Sequence, residues 1–307
     1  QNKKCIILDK KYWKESNNLN IYAFDFNKNI PLSISSKNHR SILLYILSIL
    51  YAVIILLLLT KLDWGDLTLV SLSVMCILLY MADQYYRGGH PSSFSGLPYM
   101  GRGNDGLTHY SYARTMVEAL YHNNIIEWLR GNENIFYMMP GMRYLLGITM
   151  PFFGESIFGL LLIISLTPLT IRTLLQKTFN KKWQIIMMAC FFIIPIFEAF
   201  GFYQIYLAKY TIEGFGAGIA ITAFIATFAL IWKKEDTIYN NSDLFKAGFL
   251  LALAISLRPN FLPSIAILLI GLSLYFIYKK SMCKILPLSL GFSPVLLITY
   301  HNYFFGN

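Results

Sequence analysis

The chain has 307 residues, 56% of them in the hydrophobic set and 14% charged, with a formal net charge of +10. A soluble domain carries roughly 25% charged residues, so a water-soluble fold is excluded. A nucleic-acid partner goes with it, because Lys and Arg cluster in short segments between apolar runs, where they act as topology signals and lipid-headgroup contacts. Cys5, Cys76, Cys190 and Cys283 stand far apart, which suggests neither a Cys-x-x-Cys metal site nor a disulfide framework, and they read as packing residues.

Residues 1–40 form a polar segment of charges, Asn and Ser with a few aromatics. The chain opens on Gln1 with no signal-peptide pattern and is expected to be a piece or a processed form of a longer protein. The run SILLYILSILYAVIILLLLT (41–60) has no charge and is long enough to cross a bilayer, which takes about 20 apolar residues. The turn KLDWGD and a second run at 67–82 complete a transmembrane hairpin over 41–82. Residues 83–155 then form a connection far longer than the usual handful of residues. Further spans are predicted at 156–175, 183–201, 212–232, 244–257, 261–278 and 285–300, a bundle of about six within 156–307. Pro259 and Pro263 interrupt the pattern around LRPN. The predicted fold class is an all-α polytopic integral membrane protein with about eight spans and a long extracytoplasmic first loop.

Orientation follows from the short basic loops. Arg172, Lys177, Lys181 and Lys182, then Lys233 and Lys234, then Lys279, Lys280 and Lys284 all fall on one side by span counting, and that side is assigned to the cytoplasm. The loop 83–155, LRPN and HNYFFGN then lie outside. So does the segment 1–40, whose eight Lys and Arg against three acids run counter to the rule.

Inside the long loop, GRGNDGLTHYSYAR (101–114) is polar and broken by glycine. Leu107, Tyr110, Ala113, Val117 and Leu120 recur at helical spacing, which predicts an amphipathic helix over 107–121 lying along the membrane surface. Asp105 stands in its N-cap region, and reads either as a cap or as a general base. His109, four residues on, can lie beside that carboxylate or serve as a surface histidine. A second helix is predicted from Pro140 through GMRYLLGITMPFF, since Pro favours a first helical turn, with WLRGNENIFY as the joining turn. Arg102, Arg114 and Arg143 are candidate phosphate ligands through their forked donors. The alternatives are solvent, headgroups or carboxylates, with Glu118 the i+4 partner of Arg114. Asp83, at the end of the second span, is a further candidate carboxylate or a boundary residue. Arg258 in LRPN either meets phosphate or snorkels to the interface.

The ordered string NDGLTHYSYARTMVEAL followed by EWLRGNENIFYMMPGMRYLLGITMPFFGES resembles the first extracytoplasmic loop of GT-C superfamily glycosyltransferases. It is similar in particular to the aminoarabinose and protein mannosyltransferase-like branch. Asp105 falls on the family's acidic position, Tyr112, Ala113, Arg114 and Met116 on its first helix, and Trp128, Phe136, Pro140, Tyr144, Phe153 and Gly154 on later marks. Where the family often has an acidic pair, this chain has Asp105 between Asn104 and Gly106.

The resemblance implies a bacterial plasma-membrane enzyme that moves a sugar, with inversion, from a polyprenyl-phosphate donor to an extracytoplasmic glycan, lipid or protein acceptor. Asp105 would be the base, with Asp83 as second choice. Arg102, His109, Tyr112, Arg114, Arg143, Tyr144, Arg258 and His301 would contact the donor or acceptor. One acid with one nearby His is a thin oxygen-ligand set, so no metal or other cofactor is expected as a requirement and metal dependence stays open. The rival readings are a lipid-linked glycan flippase, which would need charges inside several spans, and a surface-glycan polymerase or ligase, whose large loop usually falls late in the chain.

Overall fold

The computed structural model describes residues 62–88, 104–137, 139–193, 203–232 and 239–306, and every regular element among them is helical. The first helix, α1 (Trp64–Gly88), starts at a reciprocal cap. The Asp66 N–H donates to Asp63 Oδ1 at 2.7 Å, and the Asp63 N–H reaches back to Asp66 Oδ2 at 3.4 Å. The guanidinium of Arg172 grips Asp63 with both arms, at 2.9 and 3.0 Å, and also binds Asp66.

The hydrogen bond from Arg172, helped by the Asp66 N–H, holds the Asp63 carboxyl down at about 2. A depressed carboxyl contributes stability above its unfolded pKa, near 4, and loses it as pH falls through the folded value. Wild type and Asp63→Asn should therefore differ in thermal midpoint at pH 5 and converge as pH falls toward 2. A difference that grows on acidification would contradict the assignment.

Four helices are long and apolar enough to cross a membrane: Trp64–Ala82, Phe158–Thr178, Pro259–Tyr278 and Met282–Phe305. The protein is thus an all-α membrane protein. The second of these joins α5 (Phe158–Ser165) to α6 (Thr167–Thr178), with Pro168 tolerated in the first turn of α6. The third contains α11 (Leu262–Tyr278), and the fourth α12 (Ile285–Phe292) and α13 (Leu297–Phe305), which a 3-10 turn at Ser293–Leu296 connects.

These four match the predicted runs 67–82, 156–175, 261–278 and 285–300. The predicted run 212–232 is represented by a shorter apolar helix, α9 (Ala217–Ile231), and 244–257 by α10 (Asn241–Leu257). The run 183–201 overlaps α7 (Lys181–Ile193), its remainder lying outside the described residues, as does all of 41–60.

Helix α10 is short, about 26 Å at 1.5 Å per residue, and heavily enclosed by protein: Leu244, Ala247, Leu251, Ala254 and Ile255 are fully buried. It crosses α12 through two glycines. A Cβ on Gly248 would stand 2.2 Å from the Leu288 carbonyl oxygen, and one on Gly291 2.0 Å from that of Phe245. Small residues let backbones approach within a membrane, and here the obstacle on each side is backbone. Gly291→Ala is expected to cost about 1–3 kcal/mol through overpacking, read as a lower thermal midpoint in detergent. Gly271→Ala in α11, where nothing lies within 4 Å, should not lower it.

Contacts gather the helix ends into two groups. One holds Arg172 with Asp63 and Asp66, Lys177 donating to the Ala229 carbonyl, and Lys284 donating to Asn241 Oδ1 at 2.8 Å. The other holds Gly106 against Glu213 and Gly214, Gly216 against Leu257, and His301 and Asn302 against Arg130 and Phe136. Helices α9 and α10 and the last span each have one end in either group. The basic connections 172–182 and 279–284 therefore share an end, opposite the loop 104–137. Between the ends, Gln204 of α8 (Tyr203–Ile212) donates to Ser73 Oγ at 2.7 Å and the Ile164 carbonyl at 3.0 Å, tying α8 to α1 and α5.

Candidate functional site

Helix α2 (Asn104–Tyr121) is amphipathic as predicted. Its apolar face meets protein: Ala113 and Val117 join a core with Met142, Leu146 and Met150 of α4 (Gly141–Phe153). Its opposite stripe, Thr108, Ser111, Arg114 and Thr115, is polar and exposed. The helix begins at Asn104, so Asp105 stands inside the first turn, where the helix dipole favours negative charge, and not ahead of it as a cap.

The next residue fixes where that turn sits. A Cβ on Gly106 would lie 2.3 Å from the Glu213 carbonyl oxygen and 3.1 Å from Gly214 Cα. Gly214, at φ +80°, closes α8 with the Gly214 N–H bonded to the Thr211 carbonyl and the Phe215 N–H to the Tyr210 carbonyl. This is the paired C-terminal turn that glycine favours because no Cβ opposes the left-handed backbone. Two glycines in contact thus bring the start of α2, with Asp105, onto the end of α8.

Around that junction the side chains are polar and aromatic. Lys209 Nζ lies 3.8 Å from Glu213 Oε1, both side chains nearly buried. Arg258, at the end of α10, rests its guanidinium carbon 5.6 Å from the Phe215 ring centre. Tyr206 packs against Tyr210 at 4.7 Å, and its hydroxyl is pushed up first by a hydrogen bond to Tyr210 and then by burial, with Arg258 opposing. It stays protonated, and a donor, at neutral pH.

A second cluster centres on Arg143, only 3% exposed. Its Nη1 binds Glu133 Oε2 at 2.8 Å and donates to the Gly131 carbonyl at 2.9 Å. Its guanidinium lies between the rings of Tyr112, at 4.3 Å, and Phe136, at 4.8 Å. A hydrogen bond to Glu133 raises the Tyr112 hydroxyl, and burial carries that of Tyr144 up to about 12 while it donates to the Leu129 carbonyl. On the far face of Phe136, His301 stacks at 3.8 Å, its Nε2 donating to the Arg130 carbonyl at 2.9 Å. Asn302 accepts from the Phe136 N–H at 2.8 Å and donates to the Phe136 carbonyl at 3.1 Å.

The predicted site residues thus divide. Asp105 and Arg258 flank the same turn, 213–216. Tyr112, Arg143, Tyr144 and His301 gather instead around Phe136, held by internal partners. Arg114 pairs with Glu155 at 2.9 Å, where Glu118 was the expected partner. His109 is half-buried one turn after Asp105. Asp83 lies in α1 just past the span that ends at Ala82, and Arg102 lies outside the described residues. Among the described residues no three His, Cys, Asp or Glu side chains gather as a metal site.

Sequence reasoning missed Lys209, Glu213, Tyr206, Tyr210 and Glu133. The signal was in KYTIEGFGAG, where a Lys and a Glu four apart precede three glycines at the start of the predicted span 212–232. Comparison with family models, with curated proteins and with solved structures finds no match for this chain. Fold and composition define its class, an all-α membrane protein.

Proposed function

We propose that the protein is a GT-C-type membrane glycosyltransferase of about eight spans, with the loop 104–137 on the extracytoplasmic side of a bacterial plasma membrane. It would transfer a sugar from a polyprenyl-phosphate donor to an acceptor hydroxyl. The observation that carries the reading is the Gly106–Gly214 contact, which sets the first turn of α2 beside Arg258, Lys209 and Glu213 at one end of the bundle. A lipid-linked donor keeps its chain in the bilayer and its phosphate at the surface, so its reacting bond lies level with such a junction.

In an inverting transfer the acceptor oxygen attacks the anomeric carbon while Asp105 takes the hydroxyl proton. The bond from that carbon to the phosphate oxygen breaks, and its electron pair stays on the phosphate, where positive charge stabilises it. Arg258 supplies that charge, with Arg102 as a further candidate. Arg143, already balanced by Glu133, shapes the loop in this scheme, and His301 holds the loop to the last span. His109 and Tyr112 remain candidate acceptor contacts.

Arg258→Gln is expected to raise the apparent donor KM roughly tenfold or more, the order of a lost charge-assisted hydrogen bond. The measurement is transfer of labelled sugar in isolated membranes, and an unchanged donor dependence would remove Arg258 from the site. The nearly buried Lys209–Glu213 pair favours a second reading, a lipid-linked glycan transporter, because such pairs mark substrate pathways within membranes.

A further inference from the structure

The short helix α3 (Ile125–Arg130) displays its side chains in the reverse sense to α2. Ile125, Ile126 and Leu129 share one arc at helical spacing and are all exposed, Ile126 at 67%. The inward side is Trp128, edge-on to the Tyr144 ring at 6.1 Å. This display is fixed. Asn124 Oδ1 accepts from the Glu127 N–H at 3.2 Å to cap the helix, Asn123 and Gly131 bracket it at φ +58° and +62°, and the Leu129 carbonyl is bound by Tyr144. Glu127 and Arg130 neutralise each other at 2.5 Å on the remaining side.

The C-terminal end of α3 meets the end of the last span, a helix long and apolar enough to cross a membrane. The segment after α3 is fastened to the end of the last span by the His301 and Asn302 bonds, and Gly306 sits against Ile135. On that span Tyr300 and Phe304, four apart, are 60% and 73% exposed, and Tyr137 of the fastened loop is 90% exposed. Aromatic residues at the end of a span, beside an amphipathic turn with a neutralised ion pair, have the composition of a membrane–water border. Helix α2 differs: Ala113 and Val117 are buried in the core shared with α4, and its outward stripe of Thr108, Ser111, Arg114 and Thr115 is polar.

We propose that α3 is a lipid-immersed anchor, with Ile125, Ile126 and Leu129 inserted into the leaflet that surrounds the end of the last span. The anchor is independent of the glycosyl-transfer reading and needs only that the last span crosses the bilayer. It would hold the loop, and with it the Arg143 cluster, at a fixed depth.

The test uses the unmodified protein in phosphatidylcholine vesicles that include a phospholipid with a diazirine in its upper acyl chain. After illumination, labelled peptides are mapped by mass spectrometry. Label is expected in 125–129 at a yield comparable with 300–304, and at least about tenfold above 108–115 of α2. Label in 300–304 without label in 125–129 would overturn the proposal, placing α3 in water. Label in 125–129 that appears only when the protein is diluted in lipid would also overturn it, because a second copy would then be the covering surface.

Discussion

Asp105→Asn is expected to lower sugar transfer by roughly 10²- to 10⁴-fold, the range for loss of a positioned general base, with little change in thermal midpoint. Asparagine keeps the size of the side chain but cannot accept the acceptor's proton. Its position explains why folding should be spared. Asp105 is in the first turn of α2, where loss of a favourable charge–dipole interaction costs only about 0.3–1 kcal/mol. The close contact that seats the turn belongs to Gly106. A purely structural Asp105 would give the opposite pattern, a lower midpoint with activity per folded molecule retained. Asp83→Asn, in the same assay, tests the second carboxylate named from the sequence.

Glu133→Ala is expected to destabilise the protein by about 3 kcal/mol, toward the lower end of what stranding a buried charge costs. Arg143 is almost fully buried, and without Glu133 its partners among the described residues are the Gly131 carbonyl and the faces of Tyr112 and Phe136. The reverse substitution, Arg143→Met, should cost less, because the Glu133 side chain is 30% exposed and water can take over its solvation. Pairing Glu133→Leu with Arg143→Met should recover much of the loss, as apolar replacement of buried ion pairs generally does. Thermal unfolding of the three variants in detergent micelles measures this. Equal losses from the two single changes would mean that the pair lies in a wetter place than its burial indicates.

The apolar runs made most of the membrane core legible, since a span of about 20 apolar residues needs no tertiary information to be recognised. Shorter α9 and α10 were located without their exact lengths, because α10 is screened by neighbouring helices and Gly248 and Gly291 give its approach to α12 no signature beyond two glycines. The 3.6-residue period located α2, and Pro140 marked the start of α4, which begins at Gly141.

The same period could not say what the apolar face of α2 would meet. Lipid and a second helix present the same demand to a sequence, and the structure answers with Met142 and Leu146. The predicted turn 128–137 took in the last three residues of α3, 128–130, whose WLR runs straight into the glycine and asparagines of GNEN that favour left-handed backbone. The site was legible only in part. Asp105 and Arg258 could be named, but the contact of Gly106 with Gly214 joins residues 108 apart, and the Arg143–Glu133 pair bridges a loop whose path no local pattern fixes.

The most direct measurement of the central claim is the fate of a polyprenyl-phosphate sugar, labelled in the sugar, in proteoliposomes of the purified full-length protein supplied with membrane extract as acceptor source. The expected result is label leaving the donor lipid, with polyprenyl phosphate left behind, in the wild type and not in Asp105→Asn. Label that stays on its lipid while moving to the opposite leaflet, equally in both proteins, would contradict glycosyl transfer and make the protein a transporter.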